Sequence, residues 1–550
     1  MPIQWPISAR VRSNIKALLA FLATSAVLLI LHLPLLRLPY YWDEAGYYIP
    51  TAVDFYRSGL LTPISTPPSG HTPLVMIYLG LVWHILGYSA WATRGAMSLL
   101  AVATITSVYV LGRRVATREV AGWSALLLGL SPLFFAQTTL AHLDLAAGLF
   151  TTWAVLCLLD DRLWLFALAS SLAVISKETA VVLLPVAWLY AWQRRRGAKQ
   201  WCPGSFSRWT PLVVPLLPLA AWTLYYHHAT GYWTGNPAYL SYNVYSTLSP
   251  VRMMWSLLRR AYELLLGGFN WLLTAFALWG LWWGRRHRTR DNGRKIGDAN
   301  GGTQGAKWEP LRPAEFPALN AATRVQDPAS SERWWGFIFL SAGLVAVYLL
   351  LLSVVGGAIL PRYLLPVVPL FYLAAVGTVT RLPRIFSRVA LTTITVCFVW
   401  AWFINPPYPF PFEDNLAYAD FIVLHQQAAH FLEAQPVHSR ILTAWPATDE
   451  ISEPFLGYVQ KPLRVVPLQG FSEGDFRKLP LERFDFLYLY SRRWEPPGNW
   501  VTRFPVWLRI QGRYFDYQPQ VDAQTLVVRY HLQLRAEMER RGQWVRIYSH

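Results

Sequence analysis

Two adjacent carboxylates, Asp43 and Glu44, follow the first long apolar segment of the sequence and lie within the aromatic stretch 40–48. A carboxylate in this position is able to take a proton from a hydroxyl group, which is the task of a general base. Ionisable groups near the hydrocarbon of a membrane are costly to hold and often mark functional sites. The other interpretation is an interfacial aromatic belt with two solvated acids.

Further polar residues stand at the ends of later apolar segments, and their types suit a charged substrate. A carboxylate adds a second acidic position, whereas arginine and lysine bind phosphate groups. Aromatic rings beside them stack on the faces of sugars. The residues in question are His71, Arg94, Asp144, Lys177, Glu178, Arg362 and Tyr363.

The composition identifies a membrane protein. Of 550 residues, 54% are hydrophobic and 15% are charged, whereas soluble domains carry about a quarter charged residues. The formal net charge of +18 lies mostly in short loops between apolar segments, as expected for loops on the cytoplasmic side. We therefore predict no nucleic-acid partner. The three cysteines, Cys157, Cys202 and Cys397, have no metal-ligand spacing and suggest no disulfide framework.

The elements that must position these residues are apolar segments of membrane-spanning length. We predict a polytopic α-helical membrane protein with about eleven spans and one horizontal juxtamembrane helix at 72–87. The predicted spans are 17–36, 92–111, 119–136, 145–159, 163–176, 179–193, 210–228, 262–284, 334–354, 361–380 and 388–404.

The distribution of lysine and arginine gives the orientation. If segment 72–87 does not cross, the loops of one side carry 25 basic residues and those of the other side carry eight. Because basic loops stay in the cytoplasm, the N-terminus is predicted inside, as an uncleaved signal anchor. All the polar residues singled out above then lie on the outer face.

The chain changes character after residue 404, where a proline-rich linker follows the last apolar segment. We predict two domains, a transmembrane module at 1–404 and an extracytoplasmic soluble α/β domain at 405–550. In the second domain we expect a helix at 417–434 and strands at 440–445, 463–468, 484–490 and 525–531. The pair Asp449-Glu450 is interpreted as a solvated or helix-capping pair.

The ordered set of motifs resembles the GT-C superfamily of integral-membrane glycosyltransferases. The set comprises the Asp43-Glu44 pair, His71-Thr72-Pro73-Leu74, Arg94, Ser131-Pro132 followed by Asp144, Lys177 and Pro361-Arg362-Tyr363-Leu364-Leu365-Pro366. Within the superfamily it is similar to glycosyltransferase family 39, which includes protein O-mannosyltransferases and lipid A aminoarabinose transferases. The resemblance covers roughly residues 15–405. One departure is His71-Thr72-Pro73, where relatives tend to have His-or-Lys-Pro-Pro.

The resemblance implies transfer of a sugar, a hexose or pentose, from a polyprenyl-phosphate donor to a hydroxyl group of a lipid, glycan or protein. The transfer would invert the anomeric centre and take place on the outer face of the bacterial inner membrane. It implies that Asp43 is the catalytic base, that Glu44 shapes its environment or the acceptor site, and that Asp144 is the second acidic position. Arg362, Lys177 and Arg94 would hold the lipid phosphate. His71, Glu178 and Tyr363 complete the expected substrate-binding set.

Elementary chemistry supports the same assignment. Sugar transfer from a phosphate needs a base for the acceptor hydroxyl and positive charge for the leaving phosphate. A nearby anion favours the oxocarbenium-like state of the anomeric carbon. We expect no required cofactor. A divalent cation held by Asp43, Glu44 and Asp144 is the alternative to the basic side chains.

Two other function classes are compatible with a polytopic membrane protein. A transporter or flippase of a lipid-linked sugar predicts broken helices and charged residues near mid-membrane in matching halves. A membrane-anchored glycan-binding or assembly protein needs the outer domain but not the ordered polar ends of many spans. The charges gather at one surface and no internal repeat is visible, which favours the enzyme.

Overall fold

The computed structural model describes residues 22–197, 209–300, 328–477, 484–496, 503–515 and 517–550. Up to residue 404 these residues are predominantly helical. The helices are Leu22–Leu35, Ile49–Ser58, Leu74–Leu86, Ala90–Val115, Arg118–Leu130, Pro132–Gln137, Leu143–Leu159, Leu163–Ser176, Leu183–Gly197, Thr210–Val213, Leu216–Thr230, Pro237–Asn243, Pro250–Leu265, Asn270–Asn300, Pro328–Val354, Val368–Val379 and Arg384–Ala401. Cys202 lies outside the described residues.

Several predicted spans coincide with helices. Within the described residues, three helices are long and apolar enough to cross a membrane, namely Ala90–Val115, Glu332–Val354 and Arg384–Ala401. Other apolar helices, such as Leu143–Leu159 and Leu163–Ser176, are shorter than the test for a span requires. The structure therefore confirms a largely helical chain with apolar helices, and the number of eleven spans stays a prediction.

The predicted span 262–284 has the wrong start. The apolar run belongs to two helices, Pro250–Leu265 and Gly267–Arg286, which meet at an angle of 43°. Gly268 has φ +56° at the break, a conformation that glycine adopts without steric cost. Segment 229–261, which lies between the predicted spans 210–228 and 262–284, thus contains most of the helix Pro250–Leu265.

The predicted horizontal segment 72–87 forms the helix Leu74–Leu86. Its 13 residues correspond to a length of about 20 Å, short of the roughly 30 Å of bilayer hydrocarbon. The helix packs between Ile49–Ser58 and Ala90–Val115. The horizontal orientation of this helix stays a prediction.

The C-terminal part has a mixed five-stranded sheet in its described residues, with strand order β2-β1-β3-β5-β4. The strands are β1 (Arg440–Ala444), β2 (Arg464–Leu468), β3 (Phe486–Tyr490), β4 (Gln533–Arg540) and β5 (Gln543–Ser549). β2, β1 and β3 are parallel, whereas β5 pairs antiparallel with both β3 and β4. The predicted helix at 417–434 is confirmed as Ala417–Glu433.

The predicted strand at 525–531 is wrong, because this segment lies in the helix Ala523–Tyr530. Asp522 caps the helix, and its side chain accepts a hydrogen bond from the Thr525 backbone N–H at 2.7 Å. A cap of this kind stabilises a helix by about 1 kcal/mol. The local cap therefore outweighs the β-propensity of the valines that follow.

The C-terminal part packs directly on the segment that carries Asp43. The Tyr458 hydroxyl donates to the Tyr40 backbone oxygen at 2.9 Å, and the Tyr88 hydroxyl donates to the Phe455 oxygen at 2.6 Å. Buried apolar residues from before and after residue 404 form one continuous core. The division into domains 1–404 and 405–550 stays a prediction, and the contact between the two parts is extensive.

The acidic pair Asp449-Glu450 is not simply solvated. Glu450 is completely buried, and one of its carboxylate oxygens lies 2.5 Å from Nδ1 of His425. His425 itself stacks on Phe421 at a ring distance of 3.7 Å. Asp449 is half-buried, and burial raises its pKa to about 6. Glu450 thereby ties the helix Ala447–Ser452 to the helix Ala417–Glu433.

We expect Glu450→Ala to destabilise the protein by about 3 kcal/mol or more, because it leaves His425 without its buried partner. Asp449→Ala, the matched neighbour, should cost less than about 1 kcal/mol. Thermal unfolding of the detergent-solubilised full chain measures both changes. Equal unfolding temperatures of the two variants would contradict a structural role for the buried pair.

Candidate active site

The segment of Asp43 has an unusual backbone. Trp42, the residue before it, has φ +45°, a left-handed conformation that costs a bulky residue about 1–3 kcal/mol. A single π-helical turn, Glu44–Tyr48, follows and leads into the helix Ile49–Ser58. π-Helical turns are rare and concentrate at functional sites. The strain and the wide turn together set the directions of the two adjacent carboxylates.

Glu44 points into the protein and is completely buried. Its carboxylate accepts from the backbone N–H groups of Tyr41 at 2.8 Å and Ala141 at 2.6 Å, and it forms an ion pair with Arg94 at 3.4 Å. Burial raises the pKa of Glu44, against the opposing effect of Arg94. Arg94 also donates to the backbone oxygens of Leu38, Pro39 and Thr139. All three guanidinium nitrogens of Arg94 are thus used within the protein.

Asp43 points the other way, towards Arg362. Its Oδ2 accepts from Nη2 of Arg362, and 17% of its side chain is exposed. Oδ1 has no hydrogen-bond partner among the described residues. The two adjacent carboxylates therefore do not share one environment, because each has its own arginine.

Arg362 is completely buried and is the centre of the site. Besides Asp43, it contacts Asp144 (Nε to Oδ2, 3.8 Å) and Glu413 (Nη1 to Oε2, 2.7 Å). Nη1 also lies 2.8 Å from Nε2 of His142. A guanidinium presents five N–H donors in a fixed fork. This one side chain therefore joins its own segment to three others that are far apart in the sequence.

A close approach of two backbones brings Asp144 to Arg362. Asp144 lies in the first turn of the helix Leu143–Leu159. One turn later, a Cβ atom on Gly148 would lie 2.8 Å from the backbone oxygen of Leu365, which is closer than van der Waals contact. Glycine at this position therefore allows the helix to pack on the Pro361–Leu364 turn that carries Arg362.

Two residues of the site, Glu413 and His142, were not singled out in the sequence. Burial raises the pKa of Glu413 to about 7, although Arg362 opposes the shift. Burial and the nearby Arg362 lower the pKa of His142 well below its usual value. Nδ1 of His142 lies 2.7 Å from Oε1 of Gln137, so a neutral ring donates there and accepts from Arg362 through Nε2. The acidic pair in the linker, Glu413-Asp414, was the sequence signal that could have found Glu413.

Three cations surround the ring of Tyr363. Nζ of Lys177 lies 4.0 Å from the ring centroid, and the guanidinium carbons of Arg362 and Arg260 lie at 5.3 and 5.9 Å. Lys177 donates to Asp144. Arg260 is completely buried, and its Nε and Nη1 have no hydrogen-bond partner among the described residues. Arg260 is a third cation that the sequence did not single out.

His71 and Glu178 lie at a neighbouring position and contact each other. Nδ1 of His71 is 3.0 Å from Glu178, and Nε2 is 3.3 Å from the hydroxyl of Tyr239. The ring of Tyr48 lies between this group and the Arg362 group, 6.0 Å from the ring of His71 and 5.9 Å from that of His142. The predicted residues thus form three neighbouring groups, centred on Arg362, on His71 and on the Glu44–Arg94 pair.

The carboxylates of the site face arginine side chains. Arg362 lies against both Asp43 and Asp144, and Glu44 faces Arg94. No group of three or more His, Cys, Asp or Glu side chains suited to a metal ion occurs in the described part of the chain.

Comparisons with known proteins agree with this arrangement of helices. Residues 70–225 match the family model described as dolichyl-phosphate-mannose-protein mannosyltransferase. The structure is similar to that of ArnT from Cupriavidus metallidurans bound to undecaprenyl phosphate, with 12% identity, 96% of this chain and 97% of that chain covered, and a TM-score of 0.52. The apo state of ArnT gives 13% identity, 97% and 98% coverage, and a TM-score of 0.53.

A further similar structure is that of the archaeal oligosaccharyltransferase AglB from Archaeoglobus fulgidus in complex with an inhibitory peptide and a dolichol-phosphate. The identity is 10%, the match covers 86% of this chain and 69% of that chain, and the TM-score is 0.44. No curated protein sequence matches the chain. The family match at residues 70–225 and the likeness to the ArnT fold confirm the resemblance to GT-C glycosyltransferases that the sequence shows.

Replacement of the buried carboxylate, Glu44→Ala, should destabilise the protein by about 3–5 kcal/mol, because Arg94 is then left as a buried charge without its partner. Asp43→Ala, the matched neighbour with an exposed edge, should cost clearly less, since Arg362 keeps Asp144 and Glu413. Thermal unfolding and monodispersity of the two purified variants test this difference. A less stable Asp43 variant would reverse the assignment of structural and functional carboxylate.

Proposed function

We propose that this chain, a relative of the GT-C glycosyltransferases, transfers a sugar from a polyprenyl-phosphate donor to a hydroxyl group of a lipid, glycan or protein. The transfer takes place at the outer face of the bacterial inner membrane and inverts the anomeric centre. The observation that carries the proposal is the convergence of Asp43 and Asp144 on the buried guanidinium of Arg362, with Lys177 paired to Asp144. The four residues are predicted to lie at the same membrane face.

Asp43 is proposed as the general base. Its Oδ2 is held by Arg362, and its Oδ1 has no hydrogen-bond partner among the described residues. The exposed part of the side chain gives an acceptor hydroxyl access to this oxygen. A fixed carboxylate of this kind accelerates proton transfer by about 10²–10⁴-fold.

The cations around Tyr363 are proposed to neutralise the leaving phosphate. Lys177 has three N–H donors, of which Asp144 uses one. Arg260 has unpartnered donors in a buried position, where a charge-assisted hydrogen bond to phosphate is strong. Arg94, whose nitrogens are all engaged, is better suited to hold Glu44 than to bind phosphate.

The same arrangement supports inversion. An acceptor activated by Asp43 approaches the anomeric carbon from one side, and the phosphate leaves towards Lys177 and Arg260 on the other. Asp144 lies between Arg362 and Lys177 and supplies negative charge near the oxocarbenium-like centre. His71, Glu178 and Tyr239 form a polar group next to these residues, where donor hydroxyl groups are able to bind.

We propose that basic side chains, and not a divalent cation, neutralise the phosphate. Arg362 separates Asp43 from Asp144, so an ion coordinated by both carboxylates would have to displace a buried guanidinium. The test is transfer in excess chelator with wild-type protein. Activity that disappears with chelator and returns with one added divalent metal would overturn this part of the proposal.

Asp43→Asn should lower sugar transfer by about 10²-fold or more, because the amide no longer accepts a proton. Turnover of a radiolabelled panel of polyprenyl-phosphate sugars by purified protein in liposomes measures the loss. Donor binding is measured in parallel. Asp485→Asn, which changes an exposed acid of the C-terminal part, is the matched control and should keep wild-type transfer.

Retained transfer in Asp43→Asn would exclude a base at this position. Binding of a donor by wild-type protein without any turnover would favour the flippase or the glycan-binding assembly protein over the enzyme.

The pKa of about 7 for Glu413 predicts a pH dependence. As the pH rises through 7, Glu413 ionises and adds a negative charge beside the cations that must bind phosphate. kcat/KM for the donor should therefore fall above pH 7, on the order of tenfold for a unit charge at roughly 10 Å and an effective dielectric constant of about 20. Glu413→Gln mimics the protonated acid and should remove this fall. If kcat/KM of the variant falls above pH 7 as it does in the wild-type protein, another group causes the fall.

A further inference from the structure

Three aromatic side chains cluster beside Asp43, and one of them comes from the C-terminal part. The ring of Trp445 lies 5.5 Å from that of Trp42 at an interplanar angle of 83°, and 5.6 Å from that of Tyr47 at 48°. We call Trp42, Tyr47 and Trp445 the aromatic cluster. All three side chains are partly exposed, unlike the fully buried aromatic residues of the core.

Gly46 allows Trp445 to take this position. A Cβ atom on Gly46 would overlap the indole of Trp445, at Nε1 and the adjacent ring carbons. Gly46 lies within the Glu44–Tyr48 turn and has no positive φ, so its backbone conformation suits any residue. Glycine is therefore required here only because the indole packs against the turn.

Polar groups complete the surroundings of the aromatic cluster. The guanidinium carbon of Arg492 lies 5.6 Å from the centroid of the Trp42 ring. Asp43 directly follows Trp42 in the chain. Burial raises the pKa of Tyr47, and the charges of Asp43 and Asp449 raise it further. The cluster thus combines partly exposed aromatic rings with hydrogen-bonding groups next to the free edge of Asp43.

Docking of the C-terminal part does not by itself explain the cluster. The hydrogen bonds of Tyr458 to Tyr40 and of Tyr88 to Phe455 already join the two parts. Trp445 keeps part of its side chain exposed, so the indole has surface available to a ligand in addition to its packing on Gly46.

We propose that the aromatic cluster binds the pyranose ring of a sugar-containing acceptor, so that the C-terminal part supplies an acceptor subsite through Trp445. The inference rests on the proposed glycosyltransferase function and adds the acceptor class to it. Aromatic rings present an apolar face to the C–H groups of a sugar, while Arg492 and Asp449 bind its hydroxyl groups. The cations that are proposed to bind the donor phosphate surround Tyr363, and Arg362 is one of them. Arg362 contacts the other carboxylate oxygen of Asp43, Oδ2.

The test compares two reactions of the same donor in proteoliposomes. One is transfer to a panel of methyl glycosides of hexoses and pentoses, and the other is hydrolysis, in which water replaces the acceptor. The variants are Gly46→Ala, which displaces the indole, Trp445→Ala, which removes it, and the double variant. Tyr458→Phe removes a docking hydrogen bond but leaves the cluster, and is the matched control.

We expect Gly46→Ala and Trp445→Ala each to raise KM for the glycoside and to lower the ratio of transfer to hydrolysis by about tenfold, the size of one lost aromatic contact. Gly46→Ala should have no further effect in the Trp445→Ala background, because the side chain that it displaces is absent. Tyr458→Phe should keep the wild-type ratio.

An unchanged ratio in both single variants, or additive effects in the double variant, would overturn the subsite. Wild-type protein that hydrolyses a donor but glycosylates none of the glycosides would exclude the pyranose class while the proposed function stands. Wild-type protein that turns over no donor at all would refute the proposed function itself, and the acceptor subsite with it.

Discussion

The site depends on one buried positive charge, the guanidinium of Arg362. An arginine keeps its charge in proteins, so its burial demands anionic partners. Asp43 and Asp144 supply them, and Glu413, whose pKa is raised by burial to about 7, adds a carboxyl group from a third segment. These contacts hold together the segment of Asp43, the start of the helix Leu143–Leu159 and the linker after the last apolar helix. The geometry proposed for catalysis is thus also a condition of folding.

Two adjacent carboxylates acquire different tasks because the backbone between them turns. Trp42 in its left-handed conformation and the π-helical turn Glu44–Tyr48 send Glu44 into the core and leave Asp43 at the edge. Glu44 then fixes Arg94 and, through Ala141, the turn that leads to Asp144. The buried acid therefore positions the segment of the second carboxylate, while Oδ1 of Asp43 has no hydrogen-bond partner among the described residues.

Sequence reasoning found the residues that mark the ends of apolar segments. Asp43, Asp144, Lys177 and Arg362 were predicted at one face because the lysine and arginine pattern orients the spans, and the structure brings these four together. Glu413, His142 and Arg260 were missed, since their role follows from packing between segments distant in the chain. The strand predicted at 525–531 failed for the opposite reason, because the local cap at Asp522 decided the structure.

The residues after 404 are part of the site as well as of a separate sheet. Glu413 completes the partners of Arg362, and Gln137 donates to its backbone oxygen at 3.1 Å. Trp445 packs on Gly46, three residues after Asp43. A chain that ended at residue 404 would leave the guanidinium with two of its three carboxylates and would open the side of Asp43 where we place the acceptor. The proposed chemistry therefore requires residues on both sides of the predicted domain boundary.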